Sequence, residues 1–391
     1  MRTGARCWHG TFAGDAPGMR DIRHATRAAA VRADDRALGG TEGLRLMHGQ
    51  IPGLEKRVSR VIYGTLFLHR LPDDDAAFAL LDGVWRTGCN AFDCAAIYGG
   101  GQCEARLGRW LRARRIARDD VVIITKGGCE GQDQLWRPNI GEHDRVREEL
   151  DGSLARLGVD RIDCYLLHRD DPDLPVETIV AFMHSLVADG KVSAWGVSNW
   201  ATHRLQAPRS RAEIPHRVAG YMSHAVPPQA ALHYAQRAGL SPPVVDSPQE
   251  SLAEPCRSVW PNTTFMSDER RRAWRDATKG QVVLLGWECL AKGFMCGKWS
   301  RADGQNLAEV RLSDETAAEW REMQLRIAYC NDKNFDRRDR AAALAAEKGV
   351  TLPEVAIGYV LSQSESSFAL VGTTSLAHFE QATDPLPLPH P

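Results

Sequence analysis

Several signatures are missing from this 391-residue chain, and each absence removes a class of protein. The ten cysteines (Cys7, Cys89, Cys94, Cys103, Cys129, Cys164, Cys256, Cys289, Cys296 and Cys330) form no CxxC pair and no Cys/His cluster with zinc spacing. In a chain of this length they read as free thiols of a reducing compartment, which points to the cytoplasm. No run approaches ~20 consecutive apolar residues, so no transmembrane helix is expected. The N-terminus lacks the continuous apolar core of a signal peptide. Charge of either sign is not in excess: 49 Lys and Arg stand against 50 Asp and Glu, a net charge of −1. Nothing in that balance suggests a nucleic acid or an anionic membrane as partner. What is present is ordinary for a globular protein, 43% hydrophobic and 25% charged, and it excludes disorder of the whole chain.

From residue 58 onward, short apolar runs rich in β-formers alternate with helical patterns. Eight runs qualify as strands: Arg60–Gly64, Asn90–Asp93, Val121–Thr125, Ile162–Leu167, Ser193–Val197, Val244–Ser247, Val282–Gly286 and Phe368–Val371. Continuous apolar runs bounded by turn residues suit strands covered on both faces, as in a parallel sheet. Helices are expected over Asp73–Thr87, Cys103–Ile116, His143–Leu157, Val176–Ala188 and Pro353–Gln363, where apolar residues recur at helical spacing. Gly88, Gly158 and Gly190 close three of them, and Pro353 sits in the first turn of the last, where its missing N–H costs nothing. Eight strand–helix units predict an α/β fold, a (β/α)8 TIM barrel. A doubly wound sheet would want a Gly-rich phosphate loop after its first strand, and none follows Gly64–Thr65.

Barrel enzymes carry their chemistry at the C-terminal ends of the strands. The second run ends at Asp93 and leads into Tyr98, the third ends at Lys126 and the fourth at His168. A barrel would bring these four to one mouth, where they make a proton-transfer set. A phenol with a pKa of ~10 is a poor acid near neutrality. A buried ammonium from Lys126 would lower that value, Asp93 would keep the lysine charged, and His168 would orient a substrate oxygen. Taken singly, each has a blander reading: Asp93 a cap, Tyr98 a packed aromatic, Lys126 a surface charge, His168 a core histidine. Four independent strand ends supplying the right types together favour the functional reading. Trp136, on the loop after the third strand, is a candidate substrate wall. His184, Cys289 and Cys296 read as packing residues.

These motifs resemble the aldo-keto reductase superfamily. GCNAFDCAAIYGGGQCEARLG (88–108) is similar to the family's first signature, and VREELDGSLARLGVDRIDCYLLHRDDP (146–172) to its second. IITKGG (123–128) supplies the lysine, GVSNW (196–200) a cofactor-contacting Ser198 and Asn199, and LGWECLAKGFMCGKW (285–299) a loop similar to the family's pyrophosphate loop. The resemblance covers roughly residues 52–384. It implies a carbonyl reductase using NADPH or NADH on this same barrel, with a small carbonyl compound as substrate. Tyr98 would be the general acid, tuned by Lys126 and Asp93, with His168 bonding the carbonyl. Gly64, Thr65, Asp93, Ser198, Asn199, Ser247, Trp287, Leu290, Lys298, Gly372 and Thr374 would line the cofactor. Relatives that bind nucleotide but regulate a partner, or use the same site for epimerisation or dehydration, mark the alternatives.

The chain departs from the family pattern at particular positions. Cys94 replaces a Thr or Ser. Ser247 falls where Gln usually holds the nicotinamide amide, and Glu250 where an aromatic residue is common. Gln381 and Ala382 replace the usual Glu–Asn at the adenine end, and no Arg or Lys follows Gly372 for a 2′-phosphate. NADP against NAD therefore stays open. Three stretches fall outside the pattern: an Arg/Ala/Gly-rich extension over 1–50, expected to be disordered, an irregular insert near 207–229, and a Pro-rich tail over 385–391. The barrel is expected to occupy 51–384.

Overall fold

Apolar runs bounded by turns become the staves of a closed barrel in the computed structural model, which describes residues 47–130, 137–205, 231–258, 260, 263–304 and 317–383. The strands are β1 (Val61–Gly64), β2 (Ala91–Asp93), β3 (Val122–Gly127), β4 (Ile162–Leu167), β5 (Val192–Ser198), β6 (Val245–Ser247), β7 (Val283–Gly286) and β8 (Ser367–Val371). Each pairs in parallel with its sequence neighbours, and β8 pairs with β1 to close the ring. Ile162–Leu167 forms with the bounds its sequence suggests, five of the others shift by one residue at one end, and β3 and β5 shift by one or two residues at both ends.

Helices fill the connections: α1 (Asp74–Arg86), α2 (Gln102–Arg114), α3 (His143–Leu157), α4 (Val176–Ala188), α5 (Ala231–Ala238), α6 (Asp268–Thr278), α7 (Ala317–Tyr329), α8 (Asp332–Lys348) and α9 (Leu352–Ser362). Local chemistry sets their ends. The Asp73 carboxylate accepts from Ala76 N and starts α1. Thr351 and Glu354 form a capping box at α9, with Pro353 in its first turn as expected. Gly158 ends α3 in the left-handed conformation. At Gly108 of α2 a β-carbon would come 2.4 Å from the Arg156 carbonyl, so only glycine lets α2 lie this close to α3.

Alternation along the strands divides the core. Ile62, Ala91, Ile124, Cys164, Leu166, Val245, Leu285 and Phe368 fill the barrel interior, while Tyr63, Phe92, Ile123, Tyr165 and Trp195 face the helical ring. Ile51, Leu54 and Val58 close the floor. They belong to a short antiparallel hairpin in which His48 and Gly49 pair with Ser59 and Val58. Residues 47–50, assigned from sequence to the extension, are thus tied to the barrel. Lys56 clamps the same floor, donating to the carbonyls of Arg118 and Val121 at 2.7 and 2.9 Å and to Asp163 Oδ1 at 2.8 Å. A second small hairpin, Cys129–Glu130 with Arg137–Pro138, follows β3. Residues 1–46, the insert over 207–229, Trp136 and the tail over 385–391 lie outside the described residues.

Candidate active site

The ends of β2, β3 and β4 converge on one mouth, and Asp93 and Lys126 point inward on the same pleat positions as Ala91 and Ile124. The Lys126 ammonium donates to Asp93 Oδ1 and Oδ2 at 2.6 and 2.5 Å and to the Cys94 carbonyl at 2.8 Å. The Tyr98 hydroxyl stands 3.5 Å from Lys126 Nζ. His168 faces Tyr98 edge-on, with ring centroids 5.7 Å apart and planes at 73°. The four residues singled out from sequence therefore form one cluster. Tyr98 reaches it because the next three residues, Gly99, Gly100 and Gly101, take φ of 58°, 62° and 87°. That left-handed turn swings the chain back from β2 into α2, and a β-carbon on Gly99 would come 2.7 Å from the His69 ring.

Burial sets the electrostatics. It pulls the Lys126 ammonium down, but the Asp93 carboxylate, with Tyr98 and Cys94 acting in the same direction, more than offsets it and holds the lysine above its ordinary value; Lys126 and Asp93 form an ion pair. Burial also pushes the Tyr98 phenol up. Lys126 and Arg169 pull it partly back and Asp93 opposes them, leaving the phenol raised. Lys126 thus acts on Tyr98 in the expected direction, by charge and by hydrogen bond, but desolvation is the larger effect and the phenol carries its proton at neutral pH. Burial, then the charges of Lys126 and Arg169, holds His168 well below the usual imidazole value. Its ring is neutral near neutrality and can offer an N–H without competing as an acid.

The residues assigned to a cofactor fall around this mouth in different states of engagement. Thr65 N and Oγ1 both donate to the Asp93 carbonyl, at 2.9 and 3.0 Å. The Ser247 carbonyl is a hub, accepting from Ser198 Oγ at 2.8 Å, Asn199 N at 3.2 Å and Trp287 Nε1 at 3.2 Å. Asn199 adds a bond from Nδ2 to Ser198 Oγ and accepts from Thr264 N. The Ser247 hydroxyl is buried and donates to the Leu285 carbonyl at 2.8 Å, so it is engaged with the barrel wall. Leu290 packs against the core, and Lys298 pairs with Glu322 at 2.8 Å. Gly64 and Gly372 lie side by side at the ends of β1 and β8, where a β-carbon on Gly372 would meet the Gly64 carbonyl at 3.1 Å. Gly372 and Thr374 are exposed there. This exposed turn at the mouth, where two glycines leave the backbone bare, fits the phosphates of a nicotinamide dinucleotide.

Three acids here escape a reading of strand ends. Glu104 of α2 is fully buried, accepting from Thr125 Oγ1 at 2.6 Å and from Arg156 Nε at 2.8 Å. Glu149 of α3 accepts from Gly128 N at 2.7 Å. Glu288, just after β7, accepts from Gln249 Nε2 and Trp260 Nε1, each at 2.8 Å, and pairs with Lys292 at 2.8 Å. The one sequence signal was a charged residue on an apolar stripe: Glu104 shares the face of Leu107, Gly108 and Leu111. Glu250 turns away from the mouth toward α6, where Arg271 Nη2 donates to it at 3.0 Å.

An eight-stranded parallel barrel with this cluster at its C-terminal mouth defines the class of the protein, and comparison with known proteins agrees. The model of the aldo/keto reductase family matches residues 60–240 and 258–389, and the chain belongs to that family. It is an NAD(P)-dependent oxidoreductase. It is 27% identical over 339 residues to aldo-keto reductase str7 of Strobilurus tenacellus, covering 83% of each chain. It is also 27% identical over 337 residues to a protein of Oryza sativa subsp. japonica named as a probable voltage-gated potassium channel subunit beta, covering 85% of this chain and 89% of that one. A glycerol dehydrogenase from Gluconobacter oxydans shares the fold, with a TM-score of 0.60 at 22% identity over 86% of this chain and 89% of that one. Among the described residues no helix is long and apolar enough to cross a membrane, and no group of three or more His, Cys, Asp or Glu could hold a metal ion.

Proposed function

We propose that the protein reduces the carbonyl of a small aldehyde or ketone to an alcohol, with NADPH as cofactor and NADH as the alternative. The observation that carries this reading is the Tyr98–Lys126–Asp93–His168 cluster, with the Tyr98 hydroxyl 3.5 Å from a buried ammonium. A reduced nicotinamide, when bound, supplies the hydride. Gly64, Thr65, Asp93, Ser198, Asn199, Ser247, Trp287, Leu290, Lys298, Gly372 and Thr374 would hold it. Tyr98 gives its proton to the carbonyl oxygen, and water returns one to the phenolate. Lys126 stabilises that phenolate by charge and is itself kept charged by Asp93. The neutral His168 ring donates an N–H to the carbonyl oxygen and orients it.

The same reading has residues 51–384 as one barrel working in the cytoplasm on a small molecule, with no nucleic acid or membrane as partner. The likeness to the channel subunit supports a second reading, a nucleotide-binding barrel that chiefly regulates a partner. Titration of the purified protein with NADPH and NADH, followed by cofactor fluorescence and then by a panel of aldehydes and ketones, separates them. Turnover of any carbonyl supports the reductase; tight binding with no turnover across the panel supports the regulator.

A further inference from the structure

We propose that Glu149 is a positioning residue for Lys126: its carboxylate holds the end of the third barrel strand by the Gly128 amide, and gain of a proton there loosens that hold. This rests on the reading above in which Lys126 tunes Tyr98.

The strand end beyond Lys126 has no side chain with which to anchor itself. Gly127 and Gly128 follow, and the chain turns at once, with Gly128 at φ 71°. The anchors come from outside. A β-carbon on Gly127 would lie 1.9 Å from the Tyr165 hydroxyl and 2.7 Å from Glu149 Oε2, so these two oxygens occupy the space that a side chain directly behind the lysine would need. The Gly128 N–H donates to Glu149 Oε2 at 2.7 Å, a length typical of charge-assisted bonds. One residue before Lys126, the Thr125 hydroxyl donates to Glu104 at 2.6 Å. Carboxylates from two different helices thus grip the strand on either side of Lys126.

The two acids differ in kind. Glu104 is fully buried and ion-paired with Arg156. Glu149, among the described residues, has no ion pair. The groups around it are Glu104 from α2, Tyr165 from β4, Cys129 from the adjoining hairpin, and Arg145 and Arg156 on α3 itself. Burial raises its carboxyl to about 7, the Gly128 N–H pulls it back, and Glu104 pushes it further up. An ionised carboxylate binds the amide roughly twice as strongly as a neutral acceptor would. Protonation therefore weakens the grip on the backbone that carries Lys126.

The test compares wild type with Glu149→Gln, whose amide oxygen still accepts from Gly128 but cannot ionise. In wild type, kcat for carbonyl reduction should rise with an inflection near pH 7. In the variant that inflection should vanish, leaving kcat about fivefold lower at pH 8.5, the order of a hydrogen bond stripped of its charge assistance. The two should coincide at pH 6, and the KM for cofactor should stay within about twofold, as expected when a group acts on the chemical step alone. A residue that only supports folding would not move the pH profile. As a second readout, the backbone amide resonances of Lys126, Gly127 and Gly128 should titrate near pH 7 in wild type and stay still in Glu149→Gln. Coincident profiles in a wild type that turns over, or amides that titrate alike in both proteins, would overturn the inference and leave the reductase reading intact. A wild type that reduces no carbonyl would overturn both.

Discussion

Lys126 donates to both carboxylate oxygens of Asp93, at 2.6 and 2.5 Å, where the two side chains are only 3% and 4% exposed. Two charges so far from water hold each other in place, and neither tolerates loss of its partner. Asp93→Asn leaves the ammonium buried without a countercharge. It should cost about 3–5 kcal/mol in urea unfolding. Asp93→Asn combined with Lys126→Met removes both charges and should recover most of that loss while remaining inactive. A single variant as stable as wild type would mean that water reaches the pair.

Tyr98→Phe removes the transferable proton and leaves the ring edge-on to His168 in place. Carbonyl reduction should fall by about 10²–10⁴-fold, the usual contribution of a positioned acid. Cofactor affinity, read by fluorescence titration, should stay within about twofold, because the hydroxyl's assigned task lies in the chemical step. Retained turnover would move the role of acid to another group, His168 first.

His168 makes stability depend on pH. The folded protein keeps the ring neutral well below the ordinary imidazole value, while the unfolded chain takes up a proton near pH ~6.5. Below about that pH, unfolding binds a proton and stability falls; above it the contribution is complete. Urea midpoints measured from pH 8 down to pH 5 should therefore decline more steeply for wild type than for His168→Asn. Parallel curves would show the ring protonated in the folded state.

All eight barrel strands were legible because each is a short apolar run closed by turn residues, and a strand covered on both faces needs no subtler signal. The tetrad was legible because Asp93 ends such a run and Lys126 and His168 directly follow two others. Side-chain direction was less accessible. Ser247 and Glu250 stand out in sequence as departures, but only the structure shows the Ser247 hydroxyl spent on Leu285 and Glu250 turned out toward α6. The Tyr98 phenol is a related case: its pairing with Lys126 is visible in sequence, whereas the burial that outweighs that pairing is a property of the folded mouth. Glu149 left no usable trace, since its partner is a backbone amide and any residue could have supplied one.

Glu250 offers a further titration, of opposite sign to that of His168. Burial raises its carboxyl from 4.5 to about 7; Arg271 pulls it back and Asp246 pushes it up. Between those two values the folded state keeps a proton that the unfolded chain releases, so stability falls as pH rises through the window. At about 1.4 kcal/mol per pH unit the loss is bounded at roughly 3 kcal/mol by pH 8. Glu250→Gln cannot ionise and should escape it. The stability of wild type minus that of Glu250→Gln, from urea unfolding, should therefore drop between pH 5 and pH 8. A difference that stays flat would mean the guanidinium of Arg271, 3.0 Å from the carboxylate, keeps Glu250 ionised across the whole range. In that case the charge behind Gly286 would be a fixed element of the β6–α6 interface, with no titration of its own.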